Sequence, residues 1–287
     1  MAEDRQPTRY IRVRDVRAPT FLYGTAWKED DTALLTRMAI DAGFRGIDTA
    51  NQRRHYDEAA VGEALTDALA SGHLHREDVF LQTKFTYVDG QDHRLPYDPG
   101  APLAAQVEQS CASSLQHLGV DYLDSYVLHG PSVRHGLSAD DWETWEAMER
   151  LHGAGRTRLL GVSNVNVGQL AELYAGASTK PAVVQNRCFA AMGWDRAVRQ
   201  FCGERDILYQ GFSLLTANRE VLQHRRVHEI ASRTGRTVPQ VIFRFALQVG
   251  MTALTGTTSA PHMAEDLSVY DFELQPGEVR AIEELVA

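Results

Sequence analysis

Short apolar runs alternate with longer segments of helical periodicity along this chain, and Gly and Pro mark the joints. That alternation confines the fold to α/β architectures with a parallel sheet. Strands are expected at 20–24, 45–48, 79–84, 124–128, 158–162, 182–184, 207–211 and 251–254. Helices are expected at 31–43, 58–71, 103–118 and 140–154, the second with Val61, Leu65 and Leu69 on one face and the last capped by Asp140. Eight such units in 287 residues, 44% of them hydrophobic, fit a (β/α)8 TIM barrel in which 1–287 form a single domain. A doubly wound sheet would carry a GxGxxG turn after its first strand, and the sequence has none.

Charge and cysteine content exclude several classes. The net charge is −9, and the densest basic pairs, Arg53-Arg54 and Arg225-Arg226, are too sparse for a polyanion, so no nucleic acid partner is expected. Cys111, Cys188 and Cys202 are odd in number and show no CxxC spacing, which points to reduced thiols and no metal site. Residues 1–16 lack the apolar core of a leader, and no run is long enough to span a bilayer. The expectation is a cytoplasmic protein without membrane partners, a monomer or weak homo-oligomer.

Three of the apolar runs end on polar residues of different kinds: Asp48, Lys84 and, just past the third, His129. If they are parallel strands of one barrel, a carboxylate, an ammonium and an imidazole meet at its C-terminal mouth, where barrel enzymes hold their chemistry. The segment 87–102 after Lys84 is long and rich in Asp, Gly and Pro, which marks a functional loop rather than a solvated insertion. Segment 216–228 reads equally as a cofactor-covering loop or an exposed helix start.

The stretch from Asp41 to Ala50 (DAGFRGIDTA), followed by Tyr56-Asp57-Glu58 and Val61-Gly62-Glu63-Ala64-Leu65, resembles the signature of the aldo-keto reductase superfamily. Leu81-Gln82-Thr83-Lys84, Val127-Leu128-His129-Gly130-Pro131, Leu160-Gly161-Val162-Ser163-Asn164 and the block from Lys180 to Gln185 resemble later family blocks in the same order. The resemblance implies NAD(P)H-dependent reduction of an aldehyde or ketone by a tetrad of Asp48, Tyr56, Lys84 and His129. A tyrosine is a poor acid-base catalyst near neutral pH unless a cation supports its phenolate. Lys84 would do so, Asp48 would keep Lys84 charged, and His129 would orient the carbonyl. The family usually places its tyrosine five residues after the aspartate, whereas Tyr56 lies eight after Asp48. Ungapped counting from Val61-Gly62 would put His55 in that place; Tyr56 is preferred, because an imidazole beside a lysine would be mostly deprotonated.

For the cofactor the resemblance implies contacts from Gly24, Thr25, Asp48, Ser163, Asn164, Gln185, Phe212, Ser213 and Leu215, with Phe212 stacked on the nicotinamide. Around the adenosine end it implies Gly256, Thr257, Thr258, His262, Glu265 and Asp266. Members that prefer NADPH carry a lysine and an arginine where this chain has Gly256 and His262. NADPH is the expected cofactor, with NADH possible because those cations are absent. Trp27, His55 and Gly130 would line an open pocket for a small-molecule carbonyl substrate. The alternatives are a cofactor-binding regulatory or sensor member with little turnover, and a Schiff-base aldolase using Lys84.

Overall fold

The computed structural model describes residues 8–72 and 74–285; residues 1–7, the start of the stretch lacking a leader pattern, lie outside them. Two short antiparallel strands, β1 (Tyr10–Val13) and β2 (Val16–Pro19), come first. Eight parallel strands then close a barrel: β3 (Phe21–Gly24), β4 (Gly46–Asp48), β5 (Phe80–Phe85), β6 (Leu123–Leu128), β7 (Thr157–Ser163), β8 (Val183–Arg187), β9 (Leu208–Phe212) and β10 (Thr252–Thr255). They pair in sequence order, with β10 returning to β3. Each of the eight expected runs falls on one of them. Every position of β5 and β6 is buried, because helices cover the outside while side chains fill the lumen.

Helices α1 (Thr32–Ala42), α2 (Glu58–Ala70), α3 (Leu103–Leu118), α4 (Ala139–Gly153) and α5 (Val167–Gly176) form the first part of the outer ring. It continues through α6 (Arg196–Gly203), α7 (Arg219–Gln223), α8 (Arg225–Thr234), α9 (Val238–Gln248), α10 (Ala260–Leu267) and α11 (Pro276–Glu283). Asp140 does not cap α4. Ser138 does, in a reciprocal box with Asp141, since the chain before Ala139 is extended and aims the Ser138 hydroxyl at the Asp141 amide.

The β1–β2 ribbon was not signalled by the arginine-rich sequence around it. Val13, Val16 and Ala18 turn inward and pack on Leu22, Phe80, Leu159, Val183 and Leu208, a cluster that fills the barrel lumen away from the mouth. The lumen is therefore apolar at its base, whereas Asp48, Gln82, Lys84, Gln185 and Gln210 give its upper part a buried polar layer.

The two irregular segments have definite structure. In 87–102, Tyr97 is buried against Phe85 and donates to the Thr86 carbonyl oxygen at 2.7 Å. Segment 216–228 runs into α7 and the start of α8, the helix-start alternative. Asn218 ties it to the loop after β8, accepting from Ala190 N at 2.7 Å and donating to the Cys188 carbonyl at 2.9 Å.

Candidate active site

Asp48 and Lys84 meet inside the barrel mouth. Lys84 Nζ donates to Asp48 Oδ1 (2.7 Å), Asp48 Oδ2 (2.8 Å) and the Thr49 carbonyl oxygen (2.7 Å). Three acceptors call for three N–H bonds, which only the ammonium form possesses. Burial pulls the Lys84 pKa below the ordinary lysine value, and Asp48 and Glu58 oppose that pull. Thr25 fixes the strand end from the other side, its amide and hydroxyl both donating to the Asp48 carbonyl oxygen, at 3.0 and 3.1 Å.

Tyr56 arrives by a turn. The Gln52 carbonyl accepts from the amides of His55 (3.1 Å) and Tyr56 (3.0 Å), so the three extra residues are taken up locally. Asn51 Nδ2 reaches Ser110 O and Ser114 Oγ on α3, Gln52 Nε2 donates to Gly90 O at 2.7 Å, and Gln91 Nε2 donates to Asn51 O at 2.8 Å. The 87–102 loop thus braces the turn that carries Tyr56. The Tyr56 ring lies 5.4 Å from Lys84 Nζ, and its centroid is 6.1 Å from that of His129. Among the described residues its hydroxyl has no hydrogen-bond partner. Burial raises the phenol pKa and Asp48 raises it further, so Tyr56 is a neutral phenol. The Lys84 protons are all committed to Asp48 and Thr49, so Lys84 faces the Tyr56 ring as a charge and not as a hydrogen-bond donor. His55 packs on Trp27, its ring 3.9 Å from that of Trp27 and its carbonyl accepting from Trp27 N.

His129 follows β6. Burial, with Lys84 and His55 adding to it, pushes its pKa down to about 3, so the ring is neutral. Nδ1 is hydrogen-bonded to Thr86 Oγ1 at 2.7 Å. With the Thr86 hydroxyl donating, Nε2 carries the proton and is the nitrogen left for a ligand. The pH consequence has a definite sign. The folded pKa lies below the unfolded value of about 6.5, so the unfolded chain binds the proton that the native chain refuses. Stability contributed by neutral His129 is intact above about pH 6.5 and is lost as pH falls toward about 3. Thermal melts of the wild type and His129→Gln are expected to diverge in slope across that window, the wild type falling more steeply; parallel curves would contradict the assignment.

Ser163, Asn164 and Gln185 cluster at the ends of β7 and β8. Ser163 Oγ donates to Gln185 O at 2.6 Å, and Asn164 Nδ2 donates to His129 O at 2.8 Å and Ser163 Oγ at 3.1 Å. Gln185 Nε2 is committed to Asp48 and Gln210, whereas its Oε1 accepts from no donor among the described residues. An amide oxygen that no protein donor occupies, on an otherwise buried side chain at the mouth, suits the amino group of a nicotinamide carboxamide. Phe212 is half-buried with the Arg187 guanidinium 5.6 Å from its ring centroid. Leu215 is half-buried beyond Ser213. Gly130 is half-buried beside Asn164, where an added Cβ would lie 3.6 Å from Asn164 Cβ. Trp27, Asn164 and Ser213 adopt left-handed backbone conformations with φ of 61°, 56° and 57°. Strain of this kind gathers at ligand-holding loops.

After β10, Gly256 packs against Gly24, with a built Cβ 3.5 Å from the Gly24 carbonyl oxygen and equally near Lys28 Nζ. Lys28 donates to the Gly256 carbonyl and is only 7% exposed, and burial lowers its pKa. The sequence assigns Lys28 no role; its place next to Trp27 is the one local signal for it. Thr257 Oγ1 accepts from Ser259 N, and Ser259 caps α10 through His262 N. Thr258, His262 and Glu265 are exposed, whereas Asp266 is buried and its pKa is pushed up to about 6 by burial.

Among the described residues no helix is long and apolar enough to cross a membrane, and no group of side chains could hold a metal ion. The sequence profile of the Aldo/keto reductase family matches residues 20–287. Aldo-keto reductase family 1 member C15 of Rattus norvegicus is 30% identical, the match covering 98% of this chain and 92% of that protein. The 9,11-endoperoxide prostaglandin H2 reductase of Trypanosoma cruzi (strain CL Brener) is 31% identical over 94% of this chain and 88% of its own. The crystal structure of an aldo/keto reductase from Brucella melitensis is similar with a TM-score of 0.81 and 26% identity, covering 96% of this chain and 98% of that one. Barrel, strand-end chemistry and sequence profile agree over nearly the whole length: the chain belongs to the aldo/keto reductase family and is an NAD(P)H-dependent oxidoreductase.

Proposed function

We propose that the enzyme reduces an apolar aldehyde or ketone to the alcohol, with Tyr56 as proton donor. The observation that carries this reading is the placement of Tyr56: despite the longer spacing from Asp48, its ring lies 5.4 Å from Lys84 Nζ and 6.1 Å from the His129 ring, and its hydroxyl has no partner among the described residues. Bound reduced nicotinamide supplies the hydride. The alkoxide that develops is more basic than a phenolate, so neutral Tyr56 can protonate it even with a raised pKa. The Lys84 ammonium near the ring face offsets the negative charge left on the tyrosine. His129 Nε2–H holds the carbonyl oxygen and stabilises its developing charge. Trp27 is 67% and Met192 76% exposed on loops after β3 and β8, and an apolar rim favours a substrate with a bulky hydrocarbon portion.

Steady-state turnover with a panel of aromatic and aliphatic aldehydes tests the reading. A regulatory member would bind cofactor and leave every aldehyde unreduced. An aldolase would be trapped by borohydride as an adduct on Lys84, but that lysine is fully buried with its protons engaged, which is poor for a nucleophilic amine.

For the cofactor we propose that NADPH is used and NADH accepted within about tenfold, about 1.4 kcal/mol. Lys28 supplies a single cation at the Gly256 loop, and the rest of that loop is backbone and hydroxyls. Gly256→Lys is expected to raise the NADPH over NADH affinity ratio by about tenfold, read from quenching of tryptophan fluorescence by each cofactor. An unchanged ratio would show that no 2′-phosphate lies at this loop.

A further inference from the structure

Gln82 and Gln210 lie on β5 and β9, opposite each other across the eight-stranded barrel, and both are fully buried. Their amides are paired reciprocally: Gln82 Nε2 donates to Gln210 Oε1 at 2.7 Å, and Gln210 Nε2 donates to Gln82 Oε1 at 3.0 Å. Each also touches a side chain of the site. Gln82 Nε2 donates to Asp48 Oδ1 at 2.7 Å, and Gln210 Oε1 accepts from Gln185 Nε2 at 2.9 Å. Gln185 Nε2 closes the ring by donating to Asp48 Oδ1, also at 2.9 Å. Strand register supports the arrangement, with Asp48 beside Gln82 and Gln185 beside Gln210.

Two buried amides at the centre of a barrel are costly unless every polar atom is used. Here the pair satisfies itself, and its remaining capacity goes to the carboxylate that holds Lys84 and to the amide whose Oε1 is left for the nicotinamide. An apolar pair would fill the same space and leave Asp48 and Gln185 joined by their one direct bond alone.

We infer that Gln82 and Gln210 are positioning residues, a cross-barrel amide pair that fixes Asp48 and Gln185 together and so couples the nicotinamide seat to the ion pair behind Tyr56. The inference rests on the catalytic reading proposed above. Through this pair a carboxamide held at Gln185 Oε1 and the Asp48–Lys84 ion pair share one hydrogen-bonded frame. Displacement of either by a fraction of an ångström is felt at the other.

The test replaces both glutamines by the near-isosteric methionine. Removing both partners leaves neither amide facing a lost mate, so the double variant Gln82→Met/Gln210→Met is expected to fold. Its kcat should fall about tenfold or more, with the KM for the carbonyl substrate changed less than about threefold. The second readout uses the reduced 3-acetylpyridine analogue of the cofactor, whose methyl ketone has no amino group to give to Gln185 Oε1. In the wild type the analogue carries a penalty relative to the natural cofactor. In the double variant that penalty should shrink about fivefold, because Gln185 is no longer held to receive the amino group. The intrinsic reactivity of the analogue cancels in this ratio, and a merely structural pair would leave it unchanged.

Wild-type kcat, or an unaltered analogue penalty whatever happens to kcat, overturns the inference. If the double variant does not fold, Gln210→Met, which leaves the Gln82 to Asp48 bond in place, is judged on the same ratio. A wild type that binds cofactor and reduces no aldehyde defeats the catalytic reading itself; a competent wild type with indifferent glutamine variants defeats only this inference.

Discussion

Tyr56→Phe is expected to lower kcat/KM for aldehyde reduction by about 10³-fold, while the dissociation constant for NADPH changes less than about threefold. The substitution removes one oxygen, which has no partner among the described residues, and leaves the ring near Lys84 and His129. Nothing in the fold depends on that hydroxyl, so the loss should appear in turnover and not in stability. His55→Ala provides the contrast. His55 stacks on Trp27 and its carbonyl, which survives the substitution, holds the Trp27 amide, so the variant should keep activity within about tenfold and shift KM for bulky substrates. An inactive His55→Ala beside an active Tyr56→Phe would reverse the assignment.

Lys84→Met is expected to abolish turnover to a similar extent and to destabilise the fold by about 3–5 kcal/mol. The ammonium is fully buried and bonded to both oxygens of Asp48, so its removal leaves a carboxylate in the barrel with an unpaired charge. Gln82 and Gln185 still donate to Oδ1 and soften the penalty, but Oδ2 loses the only donor seen among the described residues. Adding Asp48→Asn removes the orphaned charge, so the double variant should regain much of the stability and none of the activity. Urea unfolding measures the first, and aldehyde-dependent oxidation of NADPH the second. A single variant as stable as the wild type would contradict the stabilising role given to the buried ion pair.

The difference between what the sequence discloses and what it withholds follows from range. Strands such as Phe80–Phe85 are legible because burial on both faces demands an unbroken apolar run, and their strand-end residues Asp48 and Lys84 then converge by topology alone. The β1–β2 ribbon is not legible, because Val13, Val16 and Ala18 are too few among exposed arginines to mark a pattern until the open barrel end they cover is known. Tyr56 is partly legible. The inserted turn that delivers it is set by Gln52 and by the distant Gly90 and Ser110, partners that no local spacing reveals. Gln82 and Gln210 are invisible for the same reason: each reads as a polar interruption of a strand, and their pairing spans 128 residues. Lys28 could be noticed beside Trp27, but its meaning comes from Gly256 at the other end of the chain.

The central claim is that hydride goes to a carbonyl carbon while Tyr56 gives the proton. Its most direct test is a reaction with cofactor carrying deuterium at the transferable nicotinamide position, with the product analysed by mass spectrometry. The wild type should yield an alcohol bearing one deuterium on the former carbonyl carbon, and Tyr56→Phe should yield almost none in the same time. An alcohol without deuterium, or equal deuterated product from both enzymes, would contradict it.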